Sequence, residues 1–356
     1  MRTITVADLA DLSVGATLLG TGGGGDPYIG SLMTEAAISR FGPVTLIDVD
    51  ELSDEGLVIP AAMMGAPTVM VEKIPNGREI QTAVSALERT LNQKAIAIMT
   101  IEAGGINSMI PLAVAAELGL PVIDGDSMGR AFPELQMTSF HVHGIRATPM
   151  ALVDEKGNHL IIDAIDNPWT ERLARTATVA VGGAAIIALY PMTGRQAKMT
   201  MVRGTMGKAM ELGRLLRDTR LSVTEIGEKL SGDHGALELF SGKVVDVERH
   251  SGDGFARGTL SCSGLGAYDG SVLRIEFQNE NLIALRDGIV VATVPDLICV
   301  LDRETLMPIT TAGLPYGQGV TVYAFPCDPV WNTPKGMETV GPRYFGYQVD
   351  YTPLQR

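Results

Sequence analysis

The chain has 356 residues, 46% of them hydrophobic and 5% aromatic, and a formal net charge of −13. That length supports a large buried core divided into two domains, and the acidity argues against nucleic acid and anionic membranes as partners. Forty-one glycines and nineteen prolines point to many turns and close backbone crossings rather than a helical bundle.

The N-terminus lacks the apolar core of a signal peptide. Helical spacing of Val6, Leu9, Leu12, Ala16 and Leu19 predicts a helix over 6–19 that runs into a glycine-rich loop. A second helix is expected over 28–41, followed by strands over 43–50 and 56–64. Residues 78–92 have helical period, and 94–102 form a continuous apolar run typical of a buried parallel strand. A helix over 106–118 ends at Gly119 before a strand at 121–124. This repeated strand–helix–strand order predicts an α/β domain with a largely parallel sheet, whose ligands bind at the carboxyl ends of the strands.

Residues 151–162 read as a hairpin turning at Lys156, Gly157 and Asn158. Helices over 169–180 and 205–216 surround a strand over 184–189. The stretch 176–194 carries no charge, but Gly182, Gly183 and Pro191 split it into helix, turn and strand rather than a membrane span. From Phe240 onward short β-rich runs, among them 272–277 and 288–292, alternate with Gly, Asp and Asn turns. The expected organisation is an α/β N-terminal domain over 1–166, carrying the glycine loop and the carboxylate clusters, and a β-rich C-terminal domain over 167–356. Cys262, Cys299 and Cys327 form no CxxC pair, which removes a zinc ribbon or thioredoxin-type couple and points to a reduced, cytoplasmic setting. Cys299 reads as a core residue.

Three clusters can carry chemistry. In Leu19-Gly-Thr-Gly-Gly-Gly-Gly-Asp-Pro-Tyr28, five of the six residues 20–25 are glycine. Such a loop loses much backbone entropy on folding and gains close approach of its N–H groups to a ligand or another segment. Gly22, Gly23, Gly24, Gly25 and Asp26 are therefore candidate binding residues. Gly20, Gly22 and Gly25 also fit G-x-G-x-x-G with Asp48 or Asp50 downstream, but the preceding segment is helical rather than extended. No lysine followed by serine or threonine closes the loop, so no nucleotide is expected.

The second cluster is Ile101-Glu-Ala-Gly-Gly-Ile-Asn-Ser108. Glu102 ends a buried strand beside two glycines, where it can face a ligand, a metal or a proton-transfer partner, and Asn107 or Ser108 can cap the next helix. The third is Asp124-Gly-Asp-Ser-Met-Gly-Arg-Ala-Phe-Pro-Glu134. Asp124 and Asp126 can face one site to hold a divalent cation or to split acid and base roles, and Arg130 can neutralise them or hold a substrate carboxylate in a bidentate fork. An ordinary Asp–Arg ion-pair network accounts for the same residues. His141 and His143 alternate, so in a strand they point the same way, as some zinc ligand pairs do. No G-x-S-x-G elbow supports a serine hydrolase.

These motifs, together with Gly65-Ala-Pro67 and Glu72-Lys73, resemble the DUF917 family, named after S-methyl-thiohydantoin desulfurase, along essentially the whole chain. The resemblance implies an α/β N-terminal domain, a β-rich C-terminal domain, and hydrolytic attack on a small hydantoin-like cyclic amide or thioamide. Within it, Glu102, Asp124 or Asp126 deprotonates water, Gly22 to Gly25 offer N–H donors, and Asn107, Arg130 and Glu134 bind substrate. A divalent metal such as zinc, held by Asp124, Asp126, His141 and His143, is the other way to activate water. The family usually has Asp-Ala-Asp-Gly where this chain has Asp124-Gly-Asp-Ser127, and the histidine pair does not carry over from the family pattern. A homo-oligomer is expected. A non-catalytic subunit acting with a hydantoinase-type partner is the alternative to an enzyme.

Overall fold

A computed structural model describes residues 1–65, 69, 77–252 and 255–354. Ala66, Pro67, Glu72 and Lys73 of the family motif lie outside the described residues. The first helix, Leu9–Leu19, is entered through a capping box in which Thr5 and Asp8 satisfy each other's backbone N–H groups. The glycine loop separates it from the helix Pro27–Phe41, where Asp26 Oδ1 accepts from Tyr28 N at 2.9 Å and Pro27 opens the first turn. The helix Ile110–Leu118 stops at Gly119, whose φ of 64° suits a residue without a Cβ.

The first sheet has a parallel centre. Strands Val44–Ile47, Val122–Ile123, Ala95–Thr100 and Leu57–Gly65 pair in that order, all parallel. Leu57–Gly65 and Ala95–Thr100 are almost wholly buried, because helices cover both faces and no face needs polar side chains. Antiparallel strands extend the sheet beyond Leu57–Gly65: Ala184–Ala188, then the hairpin Met150–Val153 and His159–Ile162. The charge-free stretch 176–194 resolves into the end of helix Asn167–Ala180, a glycine turn and the buried strand Ala184–Ala188. No helix among the described residues is long and apolar enough to cross a membrane.

The second sheet is wholly antiparallel, in the order Ile289–Thr293, Glu280–Arg286, Val272–Gln278, Phe255–Gly264, Leu237–Gly252, Gly319–Phe325, Leu297–Asp302. It curls until its ends meet: Asn281 Nδ2 donates to Ile298 O at 2.9 Å and Val294 N to Leu282 O at 2.7 Å. A core of Phe240, Leu260, Ile275, Val300 and Val322 fills the curl.

Helix Thr205–Leu216 packs on Leu9–Leu19 with no room for side chains at the crossing. A Cβ on Gly15 would lie 1.7 Å from Ala209 O, and one on Gly213 would lie 1.8 Å from Asp11 O. Both obstacles are backbone, so neither can rotate away. Gly213→Val is expected to force the helices apart and to lower stability by about 3 kcal/mol or more, read as a drop in the urea midpoint at unchanged slope. A midpoint equal to wild type would show that the two helices do not need this contact.

Candidate active site

The glycine loop lies where the two sheets meet, and the C-terminal half holds it from one side. Asn281 N donates to Thr21 O at 2.8 Å, Thr311 N to Gly22 O at 2.8 Å, and the Thr311 hydroxyl to the same carbonyl at 3.0 Å. From the other side Ile106 N donates to Gly24 O at 2.9 Å. Gly23 and Gly24 each make room for a specific neighbour. A Cβ on Gly24 would lie 2.8 Å from the Gly104 carbonyl carbon, and one on Gly23 would lie 2.0 Å from Glu280 Oε1. Gly23 N is engaged by Gly20 O at 2.8 Å, whereas Gly24 N donates to the Glu280 carboxyl group. The loop therefore does cradle an anion-forming group, and that group is the protein's own Glu280.

Glu102 and Glu280 form the centre. Glu102, just past strand Ala95–Thr100, is 6% exposed and accepts from Asn107 Nδ2 at 2.7 Å and from Phe132 N. Burial pushes its carboxyl up to about 7, against the pull of Asn107, the Phe132 amide and the Arg130 charge. Glu280, which begins strand Glu280–Arg286, is 3% exposed. Burial first and the Glu102 charge second lift it well above the carboxylate range, and Arg130 only partly offsets them. Glu280 Oε2 and Asn281 Oδ1 are buried without a hydrogen-bond partner.

Arg130 joins the halves beneath this pair. Its Nε donates to Ala131 O at 2.9 Å, Nη1 to Pro295 O at 3.0 Å and Asp296 O at 2.7 Å, and Nη2 to Thr21 Oγ1 at 2.8 Å and Asn281 O at 3.3 Å. A guanidinium has five N–H donors, and all five are engaged, so none remains for the substrate carboxylate that the sequence reading assigned to it. Burial pulls it down to about 10 while Glu280 holds it up, which leaves it charged at neutral pH. Its guanidinium carbon lies 4.6 Å from the centre of the Phe132 ring. Asn107 is corrected in the same way. Its Oδ1 accepts from Met63 N at 2.7 Å, and its Nδ2 donates to Met63 O at 3.2 Å and to Glu102. It anchors Glu102 to strand Leu57–Gly65 and has no donor left for substrate.

The aspartates of the third cluster bind backbone. Asp124 Oδ1 accepts from Gly207 N at 2.9 Å in the first turn of helix Thr205–Leu216. Asp126, fully buried, accepts from Ala103 N at 2.5 Å and from Gly129 N at 2.9 Å, so it staples the turn after Glu102 to its own loop. Burial pushes it up to about 8, with the Gly129, Ala103 and Met128 amides opposing. Asp26 is an exposed helix cap. Glu134 lines a different place, a surface cleft of about 440 Å³ shared with Glu171, Arg172, Phe255 and Tyr344, and it accepts from Tyr344 Oη at 2.7 Å.

His141 and His143 are not in a strand. The first belongs to the short helix Ser139–Val142 and the second caps its end, so their side chains diverge. His141 Nδ1 lies 3.1 Å from Asn167 Nδ2, and His143 is exposed. Among the described residues no three His, Cys, Asp or Glu side chains converge as a metal-binding group. The four residues named for a metal do not fit one: two hold backbone amides and two diverge. Cys299 is a core residue, 2% exposed, with its thiol donating to Leu18 O at 3.1 Å.

Sequence reasoning missed Glu280, Asn281, Thr311 and Asp296, all of them from the half that carried no recognised motif. A usable signal existed in Gln278-Asn-Glu-Asn281, a polar run between two apolar strands where a two-residue turn would suffice. Asp296, 0% exposed, accepts from Cys327 N at 2.9 Å and Tyr351 Oη at 3.0 Å.

Two family models match the chain: "S-Me-THD-like, N-terminal domain" over residues 7–164 and "S-Me-THD-like, C-terminal domain" over residues 165–354. An X-ray crystal structure of a protein from Chromobacterium violaceum is similar over 100% of both chains, at 25% identity and a TM-score of 0.84. No curated protein matches the chain.

Proposed function

The chain belongs to the S-Me-THD-like family, and on that footing we propose that it hydrolyses a small cyclic amide or thioamide of the hydantoin class, with Glu102 deprotonating the attacking water. The observation that carries this reading is the position of Glu102. It lies just past a strand in the parallel centre of the sheet, is held by Asn107 and Phe132, and has its carboxyl pushed up to about 7. A carboxylate poised near neutral pH is a far better base than an exposed one at its ordinary value. In this reading Gly22 and Gly25 supply the N–H donors to the ring oxygen, while Asp126 fixes the turn that carries Glu102 and Asn107.

The test is release of thiol from an S-methylated thiohydantoin, or loss of ring absorbance from a plain hydantoin, by the purified chain. Glu102 works only when ionised, so kcat/KM is expected to rise with pH through about 7. A rate that is flat from pH 5 to pH 9 (on the order of two units either side) would remove Glu102 from the role of base. The complete engagement of Arg130 and Asn107 within the protein favours a second reading, a non-catalytic subunit acting with a hydantoinase-type partner. That reading expects no thiol release by the chain alone and turnover only with the partner.

A further inference from the structure

We propose that Glu280, supplied by the C-terminal sheet, is a second catalytic carboxyl, the general acid that protonates the leaving group while Glu102 takes the proton of water. The inference rests on the hydrolase reading above and extends it to a residue in the half of the chain that carries no recognised motif. Three observations of geometry support it. Glu280 is 3% exposed, and its Oε2 has no hydrogen-bond partner. A bare, unpaired carboxylate oxygen in the interior is strongly disfavoured, whereas a neutral carboxylic acid carries a proton there. The glycine loop is built around this group, with Gly23 in contact and Gly24 N donating to it.

The charged and titratable groups around Glu280 are consistent with one proton shared by two carboxyls. Glu102 faces it with like charge, and Arg130 supplies the opposite charge. Cys299, Cys327 and Asp296 are the other titratable groups that interact with the Arg130 charge. Two carboxyls and one cation in a closed space favour one negative and one neutral carboxyl. Glu102 accepts from Asn107 Nδ2 and Phe132 N, which favours its charged form, whereas Glu280, with Oε2 unpartnered, keeps the proton.

With an S-methylated thiohydantoin the step balances as follows. A water oxygen bonds to the ring carbon bearing sulfur as one water proton passes to the Glu102 carboxylate. The carbon–sulfur bond then breaks, its electron pair stays on sulfur, and the Glu280 proton moves to that sulfur to release methanethiol. The ring keeps the water oxygen as a carbonyl, with the second water proton on the neighbouring nitrogen. Return of the proton from Glu102 to Glu280 restores the starting state. No oxidant, metal or co-substrate enters.

The experiment compares wild type, Glu280→Gln and Glu280→Asp on two substrates, an S-methyl and an S-(4-nitrophenyl) thiohydantoin. The nitrophenyl thiolate leaves without needing a proton. Glu280→Gln is expected to slow the S-methyl substrate by about 10²–10³-fold and to leave the nitrophenyl substrate near wild type, with Glu280→Asp recovering part of the loss. Equal losses on both substrates, or none on either, would overturn the assignment. Infrared difference spectra at neutral pH supply a readout apart from turnover: a protonated-carboxyl band present in wild type should vanish in Glu280→Gln. Its absence from wild type overturns the proposal whatever the rates. A wild-type chain that consumes neither substrate overturns the hydrolase reading and the acid role together, and the band then separates that failure from a wrongly placed proton.

Discussion

Glu102→Gln is expected to lower turnover on the order of 10⁴-fold, the upper end of what a positioned general base contributes. The substitution keeps the shape and can still accept from Asn107 Nδ2 and Phe132 N, so the strand end and the turn at Gly104 and Gly105 should remain folded. What it removes is the group that ionises. The same variant has a signature in stability. Burial holds the Glu102 carboxyl near 7 in the native chain, above its ordinary value of 4.5. Between those values the native state binds a proton that the unfolded chain has released. Stability contributed by the protonated form is complete below about pH 4.5 and is lost as pH rises through about 7, with a slope of at most about 1.4 kcal/mol per pH unit. Glu102→Gln carries no such proton, so its urea midpoint should fall less than that of wild type across this window. A variant with wild-type turnover would remove Glu102 from the chemistry, and an unchanged pH dependence of the midpoint would mean that Glu102 titrates normally.

Arg130→Met is expected to be the most damaging single change to the fold near the site, at about 3–5 kcal/mol. Methionine fills similar volume but donates nothing. The carbonyls of Ala131, Asn281, Pro295 and Asp296 and the Thr21 hydroxyl lose a buried partner together, and Glu102 and Glu280 lose their cation. Each stranded polar group costs about 1–3 kcal/mol before relaxation. Arg130→Lys should rescue little, because an ammonium has three donors and cannot reproduce the planar fork. Whatever activity survives should show its rise with pH displaced upward, since Glu102 no longer feels the guanidinium. Equilibrium unfolding in urea checks the first expectation and the pH profile of kcat/KM the second. If Arg130→Lys matched wild type in both, Arg130 would be acting as a simple counter-charge.

Much of the fold was legible because it depends on local pattern. The helix over 6–19, the buried strand 94–102, the hairpin at Gly157 and the helix 205–216 each follow from side-chain periodicity and turn residues, which act over a few residues. The structure has them at Leu9–Leu19, Ala95–Thr100, Met150–Val153 with His159–Ile162, and Thr205–Leu216. The histidines misled for the same reason. Alternation in Phe140-His-Val-His-Gly144 matches a strand, yet Thr138 caps His141 N at 3.1 Å and starts a helical turn. A side-chain cap decides this short segment against its periodicity.

The candidate site was legible only in half. Glu102 stood out by its place at the end of a buried strand, and the glycine loop by its cost in backbone entropy. Asp124, Asp126 and Arg130 also looked chemical, because clusters that hold a fold together use the same charged residues as clusters that turn over substrate. Their hydrogen-bond partners separate the two. Asp124 and Asp126 bind backbone amides, and Arg130 binds carbonyls from both halves.

The sequence by itself determined that this chain is an acidic protein of the S-Me-THD-like family, α/β with a largely parallel sheet in its N-terminal part and β-rich in its C-terminal part, with a glycine loop suited to close approach. Local propensity, hydrophobic period and motif order carry that information. Only the tertiary structure decided what the loop approaches. Glu280 lies 255 residues beyond Gly25 in the chain, and no local pattern links them. The curl of the second sheet carries Glu280 against Gly23, and Arg130 holds the two halves together there. Burial then sets the protonation of both carboxyls, a property of the dielectric around them that no single stretch of sequence encodes.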